Sequence, residues 1–218
     1  MIGYLRLHRC GALLAVLGLL ILLDPMASGF ASWASFALTV LLLAALGLAA
    51  WSLRVRRPVL VVLGGLSLLV MAVLFDPPES AHWRWVVAVA ALTAFTAIVT
   101  VCLLQYVLNL EPITADKVFG AVDAYVLIGF TFASLYAFLE LVQPDAFHVT
   151  VPGTGVHLSW VELMYFSFTV LTSTGFGEIT PATDMARSLI VIEQVVGVMY
   201  VAFLVARLVN LYGRDRER

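Results

Sequence analysis

The chain has 218 residues, of which 62% are hydrophobic and 12% charged, with a formal net charge of −2. A soluble domain carries roughly 25% charged and about 45–50% apolar residues, so this chain has too little polar surface to face water, and its mean hydropathy of +1.03 marks an integral membrane protein. The near-neutral charge speaks against a nucleic-acid binder or an acidic solvating tail, and Cys10 and Cys102 lack the spacing of a zinc site or disulfide framework.

A hydrocarbon core of about 30 Å needs about 20 mostly apolar residues per crossing. Six stretches qualify, near Leu7–Leu23, Trp33–Leu53, Pro58–Phe75, Trp83–Leu110, Val118–Val142 and Met185–Leu211. Breakers separate them at Asp24-Pro25, Asp76-Pro77-Pro78 and Glu111-Pro112. The first stretch reads as a retained helix. Its alternative is a signal peptide cleaved near Met26-Ala27-Ser28. Basic residues favour the cytoplasmic side of a bilayer. A cytoplasmic N-terminus puts ten of the twelve there, including Arg6, Arg9, Arg54, Arg56, Arg57, Lys117 and Arg207, and leaves Arg84 and Arg187 outside. Asp24, Asp76, Glu79, Asp145, Glu162, Glu178 and Asp184 then make the outer face acidic. Both termini are expected in the cytoplasm.

The long connection before the last stretch contains Ser159–Leu171, apolar and aromatic but only about 20 Å long as a helix. Ser159 and Glu162 form an S-x-x-E capping box that starts a helix there. Thr172-Ser173-Thr174-Gly175-Phe176-Gly177-Glu178 follows. Non-helical backbone at membrane depth survives only where protein or a water-filled cavity satisfies it, so this half-helix and Gly-x-Gly strand should line a pore. Glycine adopts φ > 0 without steric cost, and Gly175 and Gly177 are spaced to turn successive carbonyls to one side. Ser173 and Thr174 add carbonyls, and Ser173 a hydroxyl. The negative end of the half-helix favours a cation there. Tyr165, Phe166, Phe168 and Phe176 are expected to pack around the strand.

These residues resemble the pore module of tetrameric potassium channels, whose filter reads T-x-G-[YF]-G-[DN]. The resemblance runs from about Val118 to Leu211. It implies an all-α membrane fold of six transmembrane helices, with a re-entrant pore helix and selectivity filter between helices five and six. Potassium would sit at Ser173, Thr174, Gly175, Phe176 and Gly177, the only metal and no other cofactor. Thr172, Glu178, Tyr165, Phe166 and Thr169 would support the filter and outer mouth. Ser173 replaces the usual threonine, Glu178 an aspartate and Phe176 the commoner tyrosine. One chain supplies a quarter of such a filter, which implies a homotetramer in the cell membrane with lipid and K+ as partners and no nucleic acid. Residues 1–112 are expected to form a four-helix bundle, 113–213 the pore module and 214–218 a short tail, with no regulatory domain expected after it. Voltage-gated relatives carry arginines every third residue in the fourth span, whereas this one has only Arg84 at its outer end. The first four helices therefore read as a peripheral bundle.

Several residues carry two readings. Gly197 is either the inner-helix hinge or a site of close packing. Val198, Val201 and Val205 are expected to line the inner cavity. Glu193, an acid inside the sixth span, is expected to hydrogen-bond the pore helix near Thr169, with a cavity charge or gate as the alternative. Asp123 should pair with Lys117 or an inner-mouth arginine. His148 and His157 belong to the outer loop as solvated residues or a pH sensor. Glu178 and Asp184 either concentrate cations or, for Asp184, cap the last helix. The rival functions are a weakly selective cation channel, a non-conducting subunit and a membrane enzyme. The last lacks an HExxH or GxSx motif with a buried histidine.

Overall fold

A bilayer offers no water to an unpaired amide, and a helix satisfies its backbone within one segment. The computed structural model describes residues 9–27, 32–52, 55–75, 82–109, 114–150 and 158–215. These residues form seven helices and one small antiparallel sheet: α1 (Arg9–Ala27), α2 (Ser32–Ser52), α3 (Arg57–Phe75), α4 (His82–Leu108), α5 (Ala115–Val142), β1 (Phe147–Val149), α6 (Trp160–Leu171), β2 (Ile179–Pro181) and α7 (Asp184–Asp215). Helices α3, α4, α5 and α7 are long and apolar enough to cross a membrane, and shorter apolar stretches cover Cys10–Met26 and Ala37–Trp51. The chain is a multi-pass membrane protein. The expectations placed on Arg6, Arg54, Asp76, Glu79, Glu111, His157, Arg216 and Arg218 fall outside the described residues.

Helix α5 is the hub, packed by α1, α4, α6 and α7. Thr114 caps its start, accepting from the amide of Lys117 at 3.4 Å. Leu13, Leu17 and Leu20 of α1 share one apolar core with Phe95, Val99 and Leu103 of α4 and with Ala124, Leu127 and Phe130 of α5. Met164 of α6 joins the same core. The first four helices therefore continue directly into the packing behind α6.

Polar contacts fix both ends of the bundle. Asp116 accepts from the Cys10 amide and the Tyr106 hydroxyl, each at 2.9 Å. That places a carboxylate at the positive end of α1, where the helix dipole favours it. Cations meet the opposite pole of α4: Lys117 donates to the Asn109 carbonyl at 3.3 Å, and Arg207 donates to the carbonyls of Val107 and Asn109. The starts of α1 and α5, the end of α4 and the Arg207 turn of α7 thus lie together. At the other end, His82 Nε2 lies 2.9 Å from the Leu141 carbonyl, and the Asp24 carboxyl faces the Trp160 side chain.

One local expectation is corrected. Asp24-Pro25 does not end α1, which runs on to Ala27 with Pro25 inside it. A proline this near a helix end forfeits one backbone bond, and Asp24 faces Trp160 rather than forming a turn. The connection between α5 and α7 carries a short antiparallel pair of strands. Phe147 pairs with Pro181 and Val149 with Ile179. Pro181 is tolerated because it ends an edge strand.

Asp116 ties α1 and α4 to the start of α5 through the Cys10 amide and the Tyr106 hydroxyl. Tyr106→Phe should lower the unfolding free energy in detergent by about 1–2 kcal/mol, whereas Asp116→Asn, which retains an acceptor, should cost less. Thermal or denaturant melts of the purified variants measure the difference.

Candidate functional site

Helix α6 begins with a reciprocal cap. The Ser159 amide donates to Glu162 Oε2 at 2.7 Å, and the Glu162 amide donates to Ser159 Oγ at 3.3 Å. At the other end four carbonyls lack intrahelical partners, and each is accounted for. Phe168 O accepts from the amide of Thr172 at 3.1 Å and its hydroxyl at 2.7 Å. Thr169 O accepts from the amides of Thr174 and Gly175 at 2.9 and 3.2 Å, and Val170 O from that of Ser173 at 2.9 Å. Leu171 O accepts from the Tyr125 hydroxyl at 3.3 Å.

The chain folds back on α6 in this way because its handedness alternates. Ser173, Gly175 and Gly177 have φ of 56°, 57° and 81°, while Thr174 and Phe176 between them do not enter the positive region. Ser173 is the surprise, since a side chain in that region costs about 1–2 kcal/mol. A trans peptide points its carbonyl opposite to the next amide. With the amides of 173, 174 and 175 aimed at α6, the carbonyls of Thr172, Ser173 and Thr174 face away from it. The whole run from Thr172 to Glu178 is exposed in the single chain. Among the described residues no group of three or more His, Cys, Asp or Glu side chains is placed to hold a metal ion. The concentrated oxygen donors are backbone carbonyls.

Flanking groups brace this segment. Tyr165 and Phe176 stack with ring planes 3° apart and centroids at 6.2 Å. The hydroxyls of Thr172 and Thr174 lie 2.9 Å apart. Thr150, which the sequence reading missed, donates its hydroxyl toward the carbonyls of Gly177 and Glu178 at 3.0 and 2.8 Å and its amide to Glu178 O at 2.9 Å. Its only sequence signal is a threonine beside a β-prone run. The expectation that Phe166 and Phe168 also surround the strand is corrected. Phe166 packs with Tyr136 and Phe147, and Phe168 packs edge-on against Phe130. Phe166 stands about 100° around the helix from Tyr165, whereas Phe168, about 60° from it, is taken up by Phe130 and the space above Gly129. A Cβ on Gly129 would fall 2.9 Å from the Phe168 ring, so that glycine makes room for it.

Helix α7 closes the site from behind. A Cβ on Gly197 would collide with the carbonyl oxygen of Leu171, which makes this glycine the point of closest approach between α7 and α6. The helix runs unbroken through it. Tyr200 donates to Ala121 O at 2.6 Å and stacks on Tyr125. Val198, Val201 and Val205, together with Gln194, lie exposed along one face of α7.

Glu193 is fully buried and bonds the hydroxyls of Tyr136 and Ser167. Its partner on α6 is therefore Ser167 rather than Thr169, whose hydroxyl turns to Phe166 O at 2.8 Å. The two positions are about 200° apart around the helix. Asp123 does not pair as expected: both carboxyl oxygens are buried without a hydrogen-bond partner, because Lys117 and Arg207 reach the end of α4 instead. Asp184 is exposed and meets Arg187 at 3.4 Å, and the cap of α7 comes from Thr183, which accepts from Ala186 N.

Residues 122–214 match the family described as ion channel. The match covers a little over two fifths of the chain, from α5 through α6 to α7, and it supports ion channel activity for that part. No curated protein and no solved structure matches the chain.

The close approach at Gly197 generates a contrast between two glycines. Gly197→Ala should force α7 from α6 and destabilise the protein by about 1–3 kcal/mol. Gly64→Ala, where a Cβ meets nothing within 4 Å, should be neutral. Melting midpoints and size-exclusion profiles of the two variants check this.

Proposed function

We propose that the protein is a potassium-selective channel that conducts K+ passively through a pore shared by four identical chains. The observation that carries this reading is the alternating backbone at Ser173, Gly175 and Gly177, whose amides 173–175 bond back to α6 and leave a line of carbonyls facing away. Such carbonyls replace the water of a dehydrated ion, and Ser173 adds a hydroxyl at the inner end. Carbonyls from one chain reach an ion from one side only, so fourfold repetition completes each site. The exposed apolar residues of α7, among them Val191, Val195, Met199 and Phe203, suit contact with neighbouring chains and lipid.

In this reading α6 is the pore helix, α5 and α7 the outer and inner helices, and Val198, Val201 and Val205 face the inner cavity. Glu178 and Asp184 supply acidic charge at the outer mouth. All six long apolar stretches cross the cell membrane, with the start of α1 and the end of α7 in the cytoplasm. The meeting of the start of α1 and the Arg207 turn of α7 near Asp116 and Asn109 is consistent with an even number of crossings. Helix α4 has no arginine ladder, so the channel does not sense voltage in that way. The reading assigns no catalysis to the chain.

Purified protein in planar bilayers under opposed K+ and Na+ gradients tests this proposal. The current should reverse close to the K+ equilibrium potential, and a reversal near zero would replace it with a weakly selective cation pore. Gly175→Ala places a side chain in left-handed backbone at about 1–2 kcal/mol per chain, four times around the pore, and should abolish the current. Survival of current in that variant would mean that ions take another route.

A further inference from the structure

Glu193 occupies an unusual place for an acid, inside α7 one turn before Gly197 and with no exposed surface. Its Oε2 accepts from the Tyr136 hydroxyl of α5. Its Oε1 lies 2.5 Å from Ser167 Oγ on α6, and that same Oγ lies 2.8 Å from the Gly129 carbonyl of α5. A serine hydroxyl has one proton to donate, and a backbone carbonyl only accepts. If Glu193 were a carboxylate, one hydroxyl proton would have to serve two close oxygen contacts, and the other contact would set lone pair against lone pair, although the Gly129 carbonyl keeps its own helix bond within α5. The count closes when the carboxyl carries its own proton. Ser167 then accepts from Glu193 and donates to Gly129.

We propose that Glu193 is held as a neutral carboxylic acid, donating from Oε1 to Ser167 and accepting from Tyr136 at Oε2, and that this lock makes it a positioning residue for the ion pathway. The functional part rests on the channel reading above; the protonation state does not. Ser167 stands two residues before Thr169, whose carbonyl holds the amides of Thr174 and Gly175. A lock at Ser167 therefore fixes the rotation and depth of α6, and with them the direction of the carbonyls beyond it. The ionisable groups facing Glu193 are the phenols of Tyr136 and Tyr125 on α5. From α6 it meets the hydroxyl of Ser167.

Infrared difference spectra between the wild type and Glu193→Gln, in lipid at neutral pH, read the proton directly. The wild type should show a protonated carboxyl stretch that shifts in heavy water and is missing from the variant. Loss of carboxylate bands instead would overturn the proposal. Glutamine can repeat both bonds, its amide donating to Ser167 and its carbonyl accepting from Tyr136. Glu193→Gln should thus keep the K+ over Na+ permeability ratio within about twofold, while Glu193→Leu should lower it about tenfold through the unsatisfied hydroxyls. Should Glu193→Leu fail to assemble, Glu193→Gln still decides. Selectivity lost in Glu193→Gln would refute the positioning role. A wild type that passes no current would sink the channel reading while the infrared band still reports the proton.

Discussion

The carbonyls that end α6 have no partners inside the helix, and what satisfies them determines where the next seven residues lie. Here the chain itself supplies the donors. Three consecutive amides return to Thr169 and Val170, the left-handed turn at Ser173 bringing the last two of them back, and Gly175 and Gly177 continue the alternation beyond. The planar trans peptide then sends the intervening carbonyls the other way. One constraint thus produces both the local fold and the line of oxygen donors on which the proposed function depends.

The rest of the molecule holds α6 still. Asp24 faces and Phe130 stacks on Trp160 at its start, Ser167 meets Glu193 and Gly129 O at its middle, and Tyr125 and Gly197 close on Leu171 at its end. Two of these contacts need glycine, Gly129 to admit the Phe168 ring and Gly197 to admit a backbone carbonyl. Polar groups are expensive within a bilayer, which accounts for their use as paired joints between helices. Among the described residues, both oxygens of Asp123 and Oε2 of Glu140 are buried without a partner. The peripheral helices take part in the same framework, because α1 packs on α5 and its last turn reaches Trp160.

Much of this was legible in the sequence where the signal is local. The S-x-x-E box at Ser159 and Glu162 names the start of α6, and Gly175 and Gly177 name two of the three reversed residues. Ser173 could not be read as the third from composition, because its left-handed backbone goes with the return of the Thr174 and Gly175 amides to Thr169 O. Asp24-Pro25 looks like a turn on propensity alone, and only packing shows that Asp24 faces Trp160. Glu193 announced itself as a buried acid, yet its partner depends on which face α6 turns toward α7, a property set by tertiary contacts at Gly197 and Gly129. Thr150 gave no signal because its target is a backbone carbonyl 27 residues away. The pairing imagined for Asp123 failed for a similar reason, since the carbonyls at the end of α4 compete for the same cations.

The central claim is that carbonyls of the segment from Ser173 to Gly177, repeated around a fourfold axis, hold dehydrated K+ in single file. Anomalous diffraction from the assembled protein in rubidium or thallium salt tests it most directly. The account predicts a column of anomalous peaks on the axis, each ringed by oxygens from Ser173, Thr174, Gly175 and Phe176 of four chains. An axis without ions, or an assembly that turns these carbonyls away from it, would contradict the account.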